Sequence, residues 1–325
     1  MKIKKSPMMI LAVLLFIALV LELVYYRYSA RREEPIRQVS LIVYGTDASR
    51  WENLKQGAEL AAENLNAEVT LITMSSENDA KEQISLIRRE IANGADALLI
   101  AACDSEMIGA YMAGQSIDIP YVFAETGTMN ENDELIAADD AQMAEALVKT
   151  IDENEKDWIK TAVIVDHTER ESVRERLDAF VNTDIPYADE VVLWERNEQE
   201  KDKKAQFFLQ RELTEEAVDV VVALDNSSME ELLDATVNLN KDIKIYGIAN
   251  SSKSVSYLDH GLIRSLIFED EFSIGYTATT RLLTNRSGAR DLGITDTDRS
   301  VRYEVVNHDN MYETAYQRLL FPHVR

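Results

Sequence analysis

Residues 38–66 read QVSLIVYGTDASRWENLKQGAELAAENLN. Gln38–Tyr44 reads as a strand: Val39, Ile42 and Val43 are β-branched, and Leu41–Tyr44 is apolar without alternation, which suits a strand covered on both faces. After a polar loop, Leu54, Ala58, Ala61 and Leu65 recur at the helical period and form one apolar stripe. A continuous apolar strand feeding an amphipathic helix is the unit from which parallel sheets are built. The connecting loop holds only Gly45, so it is neither a G-x-G-x-x-G turn nor a Walker loop.

The unit repeats. Strands are expected at 68–73, 95–101, 120–125, 134–139, 160–166, 189–195, 218–225, 243–249 and 262–269, with a late strand at 298–307. Between them, Ile84, Ile87 and Ile91 mark a helix that ends on Asn93-Gly94, a normal C-cap. SSMEELLDATVNLN (227–240) and FSIGYTATTRLLTN (272–285) read as further helices. Strand–helix alternation over this length predicts a doubly wound α/β fold, with ligand-binding loops at the C-terminal ends of the strands. One strand end carries three acids in a row, Glu269, Asp270 and Glu271. These acids could be solvated surface, a helix start or part of a ligand site; Asp270 is placed to cap the next helix and Glu271 suits its positive end.

Composition narrows the function. The chain has 325 residues, 46% of them hydrophobic, and five prolines, which fits a folded protein of two medium domains or one large one. A formal charge of −24 argues against nucleic acid and against broad contact with anionic lipid. The single cysteine, Cys103, excludes an intramolecular disulfide and a multi-cysteine metal site, and its place at the end of an apolar strand suits a buried inert thiol. His167, His260, His308 and His323 show no H-E-x-x-H or other metal spacing. No nucleophile elbow is present. No catalytic residue, metal or cofactor is expected.

The amino terminus differs from the rest. A basic start at Lys2, Lys4 and Lys5 precedes an apolar run from Met8 to Tyr26 that contains one charge, Glu22. About 20 such residues cross a bilayer as a helix, and Tyr25, Tyr26 and Tyr28 suit its interface. A cleaved signal peptide is the rival reading, but YRYSARRE offers no convincing cleavage site. An uncleaved anchor at 8–28 is expected, with 1–7 cytoplasmic and 29–37 a linker. Arg27, Arg31, Arg32 and Arg37 nearly balance the lysines, so charge alone does not orient it.

Several segments together resemble the periplasmic sugar-binding proteins of the ribose/galactose type (type I). They are SLIVYGTDASRWENLKQGAELAAEN, IANGADALLIAACDSE, IDIPYVFAETGT, ELIAADDAQMAEAL, RERLDAF, VVVALDNSSMEELLDA, KIYGIANSS and DHGLIRSLIFEDEFSIGYTAT, in the family's order. The resemblance covers about residues 38–307. It implies two Rossmann-like lobes joined by three crossings, with ligand in the hinge. Lobe one would be 38–138 plus 270–296, lobe two 139–269 plus 297–308, and 309–325 an appended tail.

With a span before the fold rather than a DNA-binding head, the resemblance implies a single-pass membrane protein with its binding domain outside the cell membrane. Such a protein delivers ligand to an ABC permease or reports it to a membrane sensor histidine kinase. Its site would fall on Trp51 as the aromatic that stacks on sugar, with Arg50 beside it, unless Trp51 is a packing residue at the helix start. Glu125 and Thr126 would follow the fourth strand, where the acid is retained in kind and the family's arginine is lost. Arg174 would be the second lobe's ligand arginine, or else a solvated helix arginine beside Glu171 and Glu175. Asp225, or Asn226 with a one-residue slip, Asn250 and Glu269 would close the later strands, and Asp139 adds a further carboxylate. Ala101 and Ala249 stand where the family has polar contacts. A cleft rich in carboxylates suits a sugar or polyol, an amino sugar or a small cation. The lost contacts keep open a degenerate binding fold that serves as a protein-interaction module.

Overall fold

β1 (Arg37–Ile42) runs between β3 (Ala97–Ile100) and β2 (Ala67–Ile72), with Val39 opposite Ala97 and Ile42 opposite Ile100. Its buried, unalternating apolar residues form a strand because helices cover both faces. The computed structural model describes residues 15–22, 35–155, 159–184, 188–197, 204–237, 239, 241–284 and 300–320. Residues 1–37 form one unit, in which 15–22 are helical, and Gln38–Arg325 form a second. Among the described residues, no helix is long and apolar enough to cross a membrane. Most of the expected span at 8–28 lies outside the described residues, as do 285–296 of lobe one and 321–325 of the tail.

The second unit holds two six-stranded sheets. The first has the order β11-β5-β4-β3-β1-β2, with β4 at Tyr121–Ala124 and β5 at Leu135–Ala138. The second has the order β12-β10-β9-β8-β6-β7. Its members are β6 (Ile159–Val165), β7 (Ala188–Glu195), β8 (Val220–Ala223), β9 (Lys244–Ile248) and β10 (Ile263–Glu269). Both are doubly wound, as the alternation of strands and helices predicts. Helix α1 (Glu52–Asn64) buries Leu54, Ala58 and Ala61, while Leu65 lies just past its end and half-buried. Helix α2 (Ala80–Ala92) buries Gln83, Leu86 and Ile87, with Ile84 and Ile91 at the edge of that face. Gly94, at φ +91°, ends it.

Within the expected strand 298–307, the described residues from Ser300 onward form two strands rather than one. β11 (Ser300–Val301) pairs parallel to β5, and β12 (Tyr303–Asn307) runs antiparallel to β10. The chain changes sheets at Arg302, so Ser300 and Val301 belong to the first sheet and not to the second lobe. The other crossings lie between β5 and α4 (Asp140–Asn154), and between β10 and α9 (Glu271–Thr284). Hydrogen bonds tie the three together. Ala138 N–H donates to Glu269 Oε1 at 3.0 Å, and Asp270 N–H donates to the Arg302 carbonyl at 3.2 Å. In the tail, α10 (Thr314–Leu320) follows a turn, and Met311 and Leu320 are buried in the second lobe's core.

Candidate functional site

The C-terminal ends of both sheets' strands face one cleft. From the first lobe, β1 runs into Tyr44 and then a one-turn 3-10 helix, Ala48–Trp51, held open at its start by Asp47 accepting from Ser49 N–H. β4 ends in a tight turn in which Thr126 N–H donates to the Ala124 carbonyl at 2.8 Å and Glu125 takes φ +66°. A left-handed glutamate at the centre of a γ-turn is strained, and such strain concentrates at functional sites. The turn brings Glu125 against Tyr44, whose hydroxyl donates to Oε1 at 2.6 Å, and against Arg50, which donates to the same oxygen at 2.8 Å. Arg50 also pairs with Glu271, the first residue of α9. Burial first, then the Glu125 carboxyl, push the Tyr44 hydroxyl well above its ordinary range, so it stays a donor.

The second lobe answers with α5 (Glu171–Asn182) and α7 (Asn226–Thr236). Arg170, at the start of α5, is 1% exposed and donates to Asp225 at 2.9 Å. Its guanidinium lies 4.3 Å from the centre of the Tyr44 ring, which joins the two lobes through a cation–π contact. Asp225 also caps α7 by accepting from Ser228 N–H at 2.6 Å. Burial alone would raise its pKa, but Arg170, His167 and the Ser228 amide outweigh that and hold the carboxyl below its usual range. Asn226 and Asn250 bind one another, Asn226 Nδ2 donating to Asn250 Oδ1 at 2.7 Å and Asn250 N–H to Asn226 Oδ1 at 2.9 Å. The lobes touch again where Ser105 N–H meets the Glu169 carbonyl at 3.0 Å and Glu171 N–H meets Ser105 Oγ at 2.8 Å. A cavity of about 440 Å³ opens beside this network, lined by Tyr44, Asp47, Arg50, His167 and Glu231 among others.

The residues singled out from sequence separate into groups. Arg50, Glu125 and Asp225 sit in the network, Thr126 is buried beside Glu125, and Asn250 lies at its edge. Trp51 is 1% exposed, donates to the Tyr44 carbonyl at 3.0 Å and has Arg50 over its ring at 4.5 Å. It packs the wall and presents no open stacking face. Arg174 is half-exposed, with its guanidinium against Met129 Sδ of the first lobe. The buried face of α5 carries Ser172, Val173, Arg176 and Phe180, and Arg174 falls off it. Asp139 is occupied as the cap of α4, accepting from Gln142 N–H at 2.9 Å. Glu269 is a hinge residue, bonded to Ala138 N–H and 3.7 Å from Arg176. Asp270 caps α9 as expected, through Ser273 N–H at 3.0 Å. Cys103 is fully buried, and burial pushes its thiol up to about 12.

Sequence reasoning missed Tyr44, Arg170, Arg176 and Glu271. Arg176 had a signal, since it shares the helical spacing of Val173 and Phe180. It serves two buried carboxyls, donating to Asp140 at 2.6 Å beside Glu269. One cation stands against two buried acids there. Burial pushes Asp140 up to about 8, with Arg176 opposing, and burial likewise pushes Glu271 up to about 7, with Arg50 opposing. Their ordinary values are 3.8 and 4.5, so above those the folded state keeps protons that the unfolded chain has lost. Stability therefore falls as pH rises through that window. The thermal midpoint is expected to drop by several degrees from about pH 5 to pH 8 at fixed ionic strength. Asp140→Asn should flatten the slope. A flat profile in the unsubstituted chain would contradict this.

Residues 39–288 match the family described as periplasmic binding protein domain. No curated protein matches the sequence. Among solved structures, a carbohydrate transporter solute-binding protein from Agrobacterium radiobacter, in complex with D-arabinose, is 16% identical at TM-score 0.74, over 89% of this chain and 100% of that one. The Caulobacter myo-inositol binding protein bound to myo-inositol is 14% identical at TM-score 0.68, over 86% and 97%. The XylFII–LytSN complex is 14% identical at TM-score 0.68, over 84% and 98%. At these identities the likeness is one of fold. The family match bears out the resemblance drawn from the strand and loop motifs, and the likeness of fold fits the two-lobe α/β architecture.

Proposed function

The chain belongs to the periplasmic binding protein domain family, whose members bind solutes and are not enzymes, and on that premise we propose that it binds a sugar or sugar-like polyol between its lobes. The observation that carries this is a set of buried polar atoms without hydrogen-bond partners, contributed by both sides of the cleft. They are Arg50 Nε, Glu125 Oε2 and Thr126 Oγ1 from the first lobe and Arg170 Nε from the second. Leaving such atoms unbonded costs about 1–3 kcal/mol each. A polyol hydroxyl both donates and accepts, so a few of them on one small ring serve donors and acceptors together. The D-arabinose and myo-inositol bound to similar folds are ligands of this chemistry.

The test is isothermal titration of the full-length chain with pentoses, hexoses, inositols and amino sugars. One-to-one binding is expected for at least one class. Thr126→Val keeps shape but removes the hydroxyl, and should weaken that binding about tenfold. Absence of heat across the whole panel would discard the sugar reading in favour of the interaction module.

We propose further that the protein is anchored by the apolar segment at 8–28, with the binding lobes outside the cell membrane, and that it hands its state to an ABC permease or a membrane sensor histidine kinase. The length and apolarity of that run support anchoring, and the XylFII–LytSN complex supports a protein partner for this fold. Protease accessibility of the lobes in intact cells tests the orientation. Protection of the lobes would overturn it.

A further inference from the structure

On the second lobe's wall of the cleft, a nitrogen of His167 and one carboxylate oxygen each from Asp166 and Glu231 lie within 4.8 Å of one another. Asp166 and His167 follow β6, while Glu231 comes from α7, so no short sequence motif announces the group. We propose that these three residues bind a divalent transition-metal ion, with Zn²⁺ as the representative, at the edge of the interlobe cavity. The inference goes beyond the sugar reading and does not depend on it.

His167 carries the argument. It is 8% exposed and left-handed at φ +57°, a strained conformation that turns its ring inward from the strand end. Nδ1 is taken by the Asn78 amide at 2.8 Å, with Glu169 at 3.8 Å. Nε2 is buried and has no hydrogen-bond partner, and neither has Asn78 Oδ1. Turning the Asn78 amide lets its oxygen accept from Nδ1–H, which fixes the tautomer that presents a lone pair at Nε2. A ligating histidine held through its other nitrogen is the usual arrangement at metal sites.

The donor set selects the ion. One imidazole with two carboxylates suits Zn²⁺, Co²⁺ or Mn²⁺ rather than the all-oxygen cages preferred by Ca²⁺ and Mg²⁺. Three protein ligands leave a position open, and His167 and Glu231 both line the cavity. Arg196 pairs with Asp166 and opposes a cation, but Asp47, Glu77, Glu230 and Asp234 along the same cavity set more negative than positive charge there, against Lys204 and an Arg50 already paired.

The experiment is titration of Zn²⁺ alone into the chelator-washed full-length chain, with Co²⁺ absorption as a second readout. One ion per chain is expected. His167→Ala and Glu231→Gln should each weaken binding by at least about 10–100-fold, the range already seen for second-shell partners. His167→Ala should also abolish the Co²⁺ band. Glu106→Gln, on the exposed side of the helix Ser105–Gly114, should change nothing. If His167→Ala fails to fold, Glu231→Gln carries the test, because it removes a charge in place. No Zn²⁺ binding, or equal affinity in Glu231→Gln and Glu106→Gln, overturns the site and points to diffuse attraction by a chain of charge −24. Neither outcome touches sugar binding, which is measured without metal.

Discussion

Replacing Arg170 by alanine is expected to destabilise the protein by about 3–5 kcal/mol, because it leaves a buried carboxylate without its counter-ion. Arg170 is fully buried and donates to Asp225, and its other contact is the face of Tyr44. Without it Asp225 keeps only the Ser228 amide and the more distant His167. Tyr44 also loses a cation–π partner, a contribution of about 2 kcal/mol in a desolvated setting. Urea denaturation of the full-length chain reads the loss as a shift in midpoint. The double replacement Arg170→Met with Asp225→Asn should recover most of it, since apolar or neutral groups of similar volume need no counter-charge. A loss below about 1 kcal/mol for Arg170→Ala would mean that water reaches Asp225 and that the pair is effectively a surface one.

That pair also marks the limit of what the sequence discloses. The strands were legible because Leu41–Val43 or Val220–Leu224 are apolar on both faces, and only a covered parallel strand tolerates that. Asp225 and Glu125 were singled out through the family resemblance, which sets them just after strands, and the structure brings both to the same cleft. Arg170 was not, since HTERES around it has no period and a buried arginine is identified only by the acid it meets in space. Tyr44 read as one more strand residue, and its hydroxyl mattered only once Glu125 was known to face it. Trp51 had two readings from sequence, a stacking surface or a packing residue at the helix start, and its buried indole bonded to its own loop fits the second. Glu271 was explained as a favourable charge at a helix start. It is that, but it is also one of two carboxyls on Arg50. Local rules account for a residue once, and the site uses some residues twice.

The second large effect lies outside the cleft and acts on it. Gly275→Ala in α9 is expected to cost about 3 kcal/mol or more, at or beyond the upper end for overpacking. A Cβ there would stand 1.9 Å from the Leu54 carbonyl oxygen, and one at Gly57 would stand 2.0 Å from the Phe272 carbonyl oxygen. Each glycine of α1 and α9 thus faces the other helix's backbone, which has no rotamer to yield. The helices must separate. α9 begins at Glu271, and its displacement draws that carboxyl away from Arg50, which orients Glu125. Gly275→Ala should therefore lower the thermal midpoint and weaken ligand binding together, although residue 275 touches no ligand. Gly114→Ala is the control, because a Cβ there meets nothing within 4 Å. Equal midpoints for the two variants would show that α1 and α9 tolerate separation, and binding that survives the loss of stability in Gly275→Ala would uncouple Glu271 from the site.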